Sequence, residues 1–238
     1  MSRLLDWMTR RLSKRVPLAA EQQHRLAVWR ALPKRDPEQP LCSSRCVVVD
    51  VETSGLDLRE DSLISIGAVA VVGGRITLGD SYSVVLQQEN VSERKNILVH
   101  GIGGSAQRDG VPAEDALLGF LEYLGKDPLV AFHVTFDETM IRRAIREHLG
   151  INFKHPWVDL AYVMPALNLP MARKYHSLDD WVSAFTIRNV ARHDALADAL
   201  ATAQLLLVAT AQACNKNILT FKGLCDLEKS YRWLGAGN

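Results

Sequence analysis

The feature that most constrains this chain is the run Cys46-Val47-Val48-Val49-Asp50-Val51-Glu52-Thr53-Ser54-Gly55-Leu56. An almost unbroken set of β-branched residues reads as a central strand covered on both faces. It runs into two carboxylates. Strand side chains alternate with period two, so Asp50 and Glu52 point to the same face. Like charges at the end of a buried strand repel, and each is costly to take out of water. Two readings stand open at this point. Either a hard divalent cation, Mg²⁺ or Mn²⁺, is held between the oxygens, or the strand ends at the surface and both acids are solvated.

A chain of 238 residues with 47% apolar content fits one large domain, or one domain with an appendage. The net charge of +1 neither demands nor excludes a polyanionic partner, but it is unevenly spread. Residues 1–45 carry ten Lys and Arg against four Asp and Glu, which leaves the remainder at about −5. An acidic body is expected if several carboxylates await metal. Cys42, Cys46, Cys214 and Cys225 show no C-x-x-C and no His at zinc-ligand spacing, so free thiols in a reducing cytoplasm are the expectation. No apolar run reads as a membrane span, and charges interrupt Leu4-Leu5-Asp6-Trp7-Met8, so no signal peptide is expected.

In chain order, Leu4, Leu5, Met8 and Leu12 recur at helical spacing among Arg3, Arg10, Arg11, Lys14 and Arg15. A second helix is predicted from Ala19 to Leu32, closed by Pro33 and Pro37. Such a basic amphipathic segment lies on a membrane, touches nucleic acid, or packs on its own domain. Leu63–Val72 and Ile76–Leu86 read as strands joined by Gly73-Gly74, giving an antiparallel meander with the first. Ala116, Leu117, Phe120, Leu121 and Leu124 form a helical face. Leu129–Phe132 is a short buried strand, and Asp137 opens the next helix. Trp157–Leu167 is predicted to be helical, Ser177-Leu178 starts another helix, a long Ala/Leu helix follows His193 to about Ala213, and a last one spans Phe221–Trp233. The expected organisation is a basic helical extension (1–44), a central domain (45–212) and a helical tail (213–238). Strands first, then interleaved helices, point to an α/β fold with a mixed sheet covered on both sides.

Three acidic spots lie at element boundaries beside apolar sequence: Asp50 with Glu52, Asp137, and Asp198. Asp198 has no basic partner at i±3 or i±4 within Ala195–Ala201, and His193 stands five residues before it. Asp50-x-Glu52-Thr53-x-Gly55-Leu56, then Phe136-Asp137, then His193 with Asp198 resembles the three-motif signature of the DEDDh exonucleases. This is the superfamily of the DNA polymerase III proofreading subunit. The likeness covers roughly residues 45–212, and His100-Gly101-Ile102 and Ser177-Leu178 also resemble family features.

The resemblance implies a ribonuclease-H-like fold, a mixed five-stranded sheet with helices on both faces, and metal-dependent 3′→5′ removal of nucleotides. It implies that Asp50, Glu52, Asp137 and Asp198 hold two Mg²⁺ or Mn²⁺ ions and that His193 accepts the proton of the attacking water, a task suited to an ordinary imidazole. It further implies that Thr53, Ser54, Gly55 and Leu56 line the pocket for the terminal nucleotide, with His100 and Ile102 on its opposite side. The family commonly has His-Asn where this chain has Phe132-His133. Phe132 stacks on a base or fills core, and His133 makes a polar contact or is structural. Asp194 reads as a solvated or N-terminal helix charge, and Asp159 as support for the site. Trp157, Tyr162, Tyr175 and Trp181 read mainly as packing. The implied partner is a single-stranded 3′ end of DNA or RNA, with a polymerase or other protein as a further one. Turnover of short RNA, or a non-catalytic docking module, are the competing functions. A dinucleotide-binding dehydrogenase is set aside because no G-x-G-x-x-G follows the first strand.

Overall fold

A computed structural model describes residues 17–235. The first basic helix expected from the sequence lies outside them. Helix α1 (Ala20–Ala31) is followed by β1 (Arg45–Thr53), β2 (Leu63–Val72) and β3 (Arg75–Val85). Gly73 and Gly74 turn the β2–β3 hairpin, both at positive φ, where a side chain is strained. Short helices α2 (Arg94–His100) and α3 (Gly104–Arg108) lead to α4 (Ala113–Leu124), β4 (Leu129–Ala131) and α5 (Val134–Ala144), which runs on into a π turn, Ile145–Leu149. Then come β5 (Trp157–Asp159), α6 (Leu160–Leu167), α7 (Leu178–Ala184), α8 (Ala195–Cys214) and α9 (Phe221–Gly235).

The sheet order is β3-β2-β1-β4-β5. β1 pairs antiparallel with β2 and parallel with β4, and β5 extends the parallel half. The predicted helix over Trp157–Leu167 is corrected here. Its first three residues form the fifth strand and only Leu160–Leu167 is helical. Asp159 marks the change, capping α6 through the N–H of Ala161.

Alternation along β1 divides the interior. Val47, Val49 and Val51 face a core shared with α1, α4 and α5, while Cys46 and Val48 face one built with α6, α7, α8 and α9. Asp50 and Glu52, in phase with Cys46 and Val48, therefore emerge on the α8 side. Helix α8 spans 20 residues and, with a mean hydropathy of 1.3 over its most apolar 18, is long and apolar enough by composition to cross a membrane, a test that the core helix of a folded domain also passes. Half of its apolar window is buried within the molecule, and Ala199, Ala203, Leu205, Leu206 and Ala209 belong to the second core.

Both flanks are docked. Trp29 of α1 is buried in the first core, donates to the Gly125 carbonyl at 2.8 Å, and carries the Lys126 ammonium over its ring. Arg25 makes a fork to Glu122, with both nitrogens at 2.7 Å. Downstream, the Leu41 N–H donates to Leu219, the Lys222 N–H donates to Pro37, and Pro40 bridges Thr220. These main-chain bonds tie the segment before β1 to the start of α9.

Candidate active site

The site is built where β1 runs out of partners. β4 pairs only with Val47 and Val48, so the last residues of β1 have one open side, and Asp137 of α5 occupies it. The opposite quarter is closed by the start of α8. Gly67 of β2 stands opposite Asp50, and a Cβ there would lie 2.2 Å from the main chain of Ala195 and Leu196. Only glycine lets the helix start rest directly on the strand. Asp194 caps that helix through the Ala197 N–H at 2.9 Å, as its sequence position implied. Asp198, one turn in, is then carried to the strand end.

Glu52, His193 and Asp198 each offer a ligand atom within 4.8 Å of the others. Asp50 is held close enough to Asp137, Asp198 and Glu52 that, after burial, those three raise its carboxyl well above the usual range. Glu52 is pushed up to about 8 by burial first, then by Asp198 and Asp194, with Arg192 acting in the opposite sense. Burial also raises Asp137 well above an ordinary carboxyl. Hydrogen bonding to main chain at Val51 and at its own position offsets part of this, and Asp159 and Glu52 add to it. The four acids and the imidazole read from the sequence are thus neighbours in space. His193 is exposed beside them, at φ +62°, in the left-handed conformation that turns the chain back before α8.

Arg192 is a group that sequence spacing hid. Asp198 lacks a helical partner but is not bare. Its Oδ2 accepts from Arg192 Nη1 at 2.6 Å and from the His193 N–H at 3.0 Å, and its Oδ1 accepts from Asn189. Arg192 also reaches Asp179 of α7 at 2.6 Å. It lies six residues before Asp198, outside the helical register that i±4 reasoning covers.

The loop after β1 is internally tied. Thr53 Oγ1 donates to the Gly55 carbonyl at 2.6 Å, Ser54 Oγ donates to Asp61 at 2.7 Å, and Asn96 of α2 donates to the Ser54 carbonyl. Asp61 and Asn96 were not read from the sequence, being single polar residues in irregular segments. Leu56 stands 86% exposed at the rim. His100 is buried and its ring nitrogens are both engaged. Nδ1 accepts from the Ile102 N–H at 3.0 Å, and Nε2 faces Ser92 Oγ at 3.4 Å. Gln107 closes that network onto Ser92 and the Ile102 carbonyl. The structure thus joins His100 and Ile102 to each other, in an interior hydrogen-bonded knot. Phe132 is buried in the second core with its ring edge-on to His133. His133 is exposed at φ +68° and starts α5, its N–H held by Asp159. Tyr175 and Trp181 pack together, Trp181 fully buried, and Tyr162 lies under the Arg232 guanidinium.

The donor set fits a hard divalent cation. It consists of carboxylate oxygens and one imidazole, held near enough to repel when ionised, with Arg192 as their salt-bridged protein counter-charge.

An exonuclease family model (RNase_T) matches residues 47–206. The PolC-type DNA polymerase III of Thermotoga maritima is 33% identical over 162 residues, covering 68% of this chain and 11% of that protein. The DNA polymerase III subunit epsilon of Aquifex aeolicus is 27% identical over 161 residues, covering 68% of this chain and 78% of that protein. The chain therefore spans about a tenth of the PolC-type relatives and most of the shorter one. Among solved structures, E. coli exonuclease I in complex with a dT13 oligonucleotide superposes with a TM-score of 0.62 at 17% identity, over 73% of this chain and 42% of that one. Exonuclease X in complex with 5′ overhanging duplex DNA gives 0.57 at 20%, over 77% and 99%. At such identities the likeness is one of fold, the mixed five-stranded ribonuclease-H-like sheet expected from the motifs.

Proposed function

Since this chain belongs to the exonuclease family, within the DEDDh superfamily, we propose that it removes nucleoside monophosphates from the 3′ end of single-stranded nucleic acid, using two Mg²⁺ or Mn²⁺ ions held by Asp50, Glu52, Asp137 and Asp198. The observation that carries this reading is the convergence of acids from β1, α5 and α8 beside the exposed imidazole of His193. When bound, such ions supply an acidified water and charge neutralisation at the leaving oxygen.

The protein's own part is to position and to move one proton. His193 accepts it, and the Glu52 and Asp198 carboxylates within 4.8 Å of its ring stabilise the imidazolium that forms. The left-handed turn at His193 and the Asp194 cap fix where that ring stands. The tied loop Thr53–Asp61 offers a rigid floor, and Leu56 an apolar edge for a base. The likeness to proteins named as DNA polymerase III and its epsilon subunit supports DNA as the substrate and a polymerase as partner. The four unpaired cysteines fit a reducing, cytoplasmic setting.

The test is release of mononucleotides from labelled single-stranded DNA, duplex DNA and short RNA, with Mg²⁺, Mn²⁺ or chelator. Turnover is expected only with metal, and Asp50→Ala or Asp198→Ala is expected to abolish it in a chain that still folds. Unchanged turnover in chelator, or in either variant, refutes the reading.

A further inference from the structure

Asp159 is an acid with no solvent and many partners. It is 1% exposed, at the end of β5, and in register with Ala131 at the end of β4. Its Oδ1 accepts from the His133 N–H at 2.9 Å and the Ala161 N–H at 3.0 Å, and its Oδ2 accepts from the Val134 N–H at 3.1 Å. One carboxylate therefore caps two helices. The first of them, α5, presents Asp137 three residues after Val134. His133, the pivot, is left-handed and non-glycine, a conformation that persists only where the surroundings hold it.

What holds Asp159 comes from α9. Arg232 Nη2 donates to Asp159 Oδ2 at 2.9 Å and its Nε donates to Glu228 at 2.8 Å, while its guanidinium lies 3.8 Å from the centre of the Tyr162 ring. Glu228 in turn accepts from the Asp159 N–H at 2.9 Å. Without Arg232, the buried Asp159 and the partly buried Glu228 are two carboxylates facing each other across one residue's main chain. Their repulsion then acts on the group that pins the start of α5. We infer that Arg232, on a helix beyond the family-matched segment, is a positioning residue that sets the place of Asp137 through Asp159 and the turn at His133. The inference rests on Asp137 serving as a metal ligand, as proposed above.

The experiment compares the full chain with Arg232→Gln, Arg232→Lys and Lys229→Gln, the last an exposed neighbour on the same helix. Mn²⁺ binding is measured by calorimetry without substrate, and kcat and KM are measured on a labelled single-stranded oligothymidylate. Arg232→Gln is expected to bind Mn²⁺ about ten- to a hundredfold more weakly, the range typical when the group orienting a ligand is lost. Its kcat is expected to fall by a similar factor at unchanged KM, with Lys229→Gln like wild type. A brace that serves stability alone lowers the melting temperature but leaves Mn²⁺ affinity intact, and that result overturns the inference. Should Arg232→Gln fail to fold, Arg232→Lys carries the comparison. A single ammonium does not reproduce the fork to Asp159 and Glu228. Weaker Mn²⁺ binding is then expected, and binding equal to wild type overturns the inference. Failure of the wild-type chain to bind Mn²⁺ overturns both the inference and the metal reading, whereas equal binding by variant and wild type overturns the inference alone.

Discussion

Replacing Gly67 by alanine adds a single methyl group at the most crowded backbone crossing of the site. The new Cβ would sit 2.2 Å from the Ala195 carbonyl carbon and the Leu196 nitrogen, against an ordinary contact of 3.4 Å or more, so the start of α8 must rise by about 1.2 Å. The obstacle is main chain at the head of a helix whose remaining turns are locked into the second core, so no side chain swings aside to make room. Asp198 and the His193 turn ride on that helix start and move with it. A misplacement of about 1 Å in a catalytic group costs roughly a hundredfold in rate, or about 2.7 kcal/mol of transition-state stabilisation. Overpacking of this kind costs about 1–3 kcal/mol of stability, within what a domain of this size tolerates. The assay pairs initial rates of mononucleotide release with Mn²⁺ titration and thermal melting. Gly79→Ala serves as control, because a Cβ there meets nothing within 4 Å. Wild-type kcat and Mn²⁺ affinity in Gly67→Ala would refute the claim that this crossing sets the distance from Asp198 to the strand end.

Two further expectations concern charge. Glu52 folds with a carboxyl raised to about 8, above its unfolded value, so the folded state holds the proton more tightly. The associated stability is present below the unfolded value near 4.5 and is lost as pH rises through 8. In chelator, the melting temperature should fall across that window, by the equivalent of about 2 kcal/mol once solvent access is discounted, and saturating Mg²⁺ should flatten the profile. A flat profile in chelator would contradict the crowding of the acids. Arg192→Gln should lower cation-free stability, since Asp198 loses its ion pair, yet tighten Mn²⁺ binding by about tenfold because a competing cation is gone. Weaker Mn²⁺ binding in this variant would make Arg192 a support of the site instead of a competitor.

The parts of the site visible in the sequence were those governed by local rules. Period-two alternation placed Asp50 and Glu52 on one face, a position at an element boundary singled out Asp137, and isolation among apolar neighbours singled out Asp198. The β2–β3 hairpin announced itself by two adjacent glycines. Trp157–Asp159 did not, because a three-residue parallel strand running directly into a helix leaves no periodicity of its own. Arg192 reaches Asp198 by a left-handed turn, and Arg232 reaches Asp159 across 73 residues of chain, and neither follows from spacing. Gly67 looks like any glycine in an apolar strand until the helix above it is seen. Buried His100 shows the converse limit, since a sequence motif names a residue without saying which of its atoms are already engaged.

The bonds between Pro37–Leu41 and Leu219–Lys222 make the two flanks a single latch. The loop they close is nearly the entire domain, so these are contacts of long sequence separation, whose closure entropy is small only when the sheet already holds its halves together. Neither flank leaves without exposing unpaired main-chain groups on the other, and their departure is one event. Helix α9 therefore carries both connections at once, the latch at its first turn and, through Glu228 and Arg232, the clamp on Asp159.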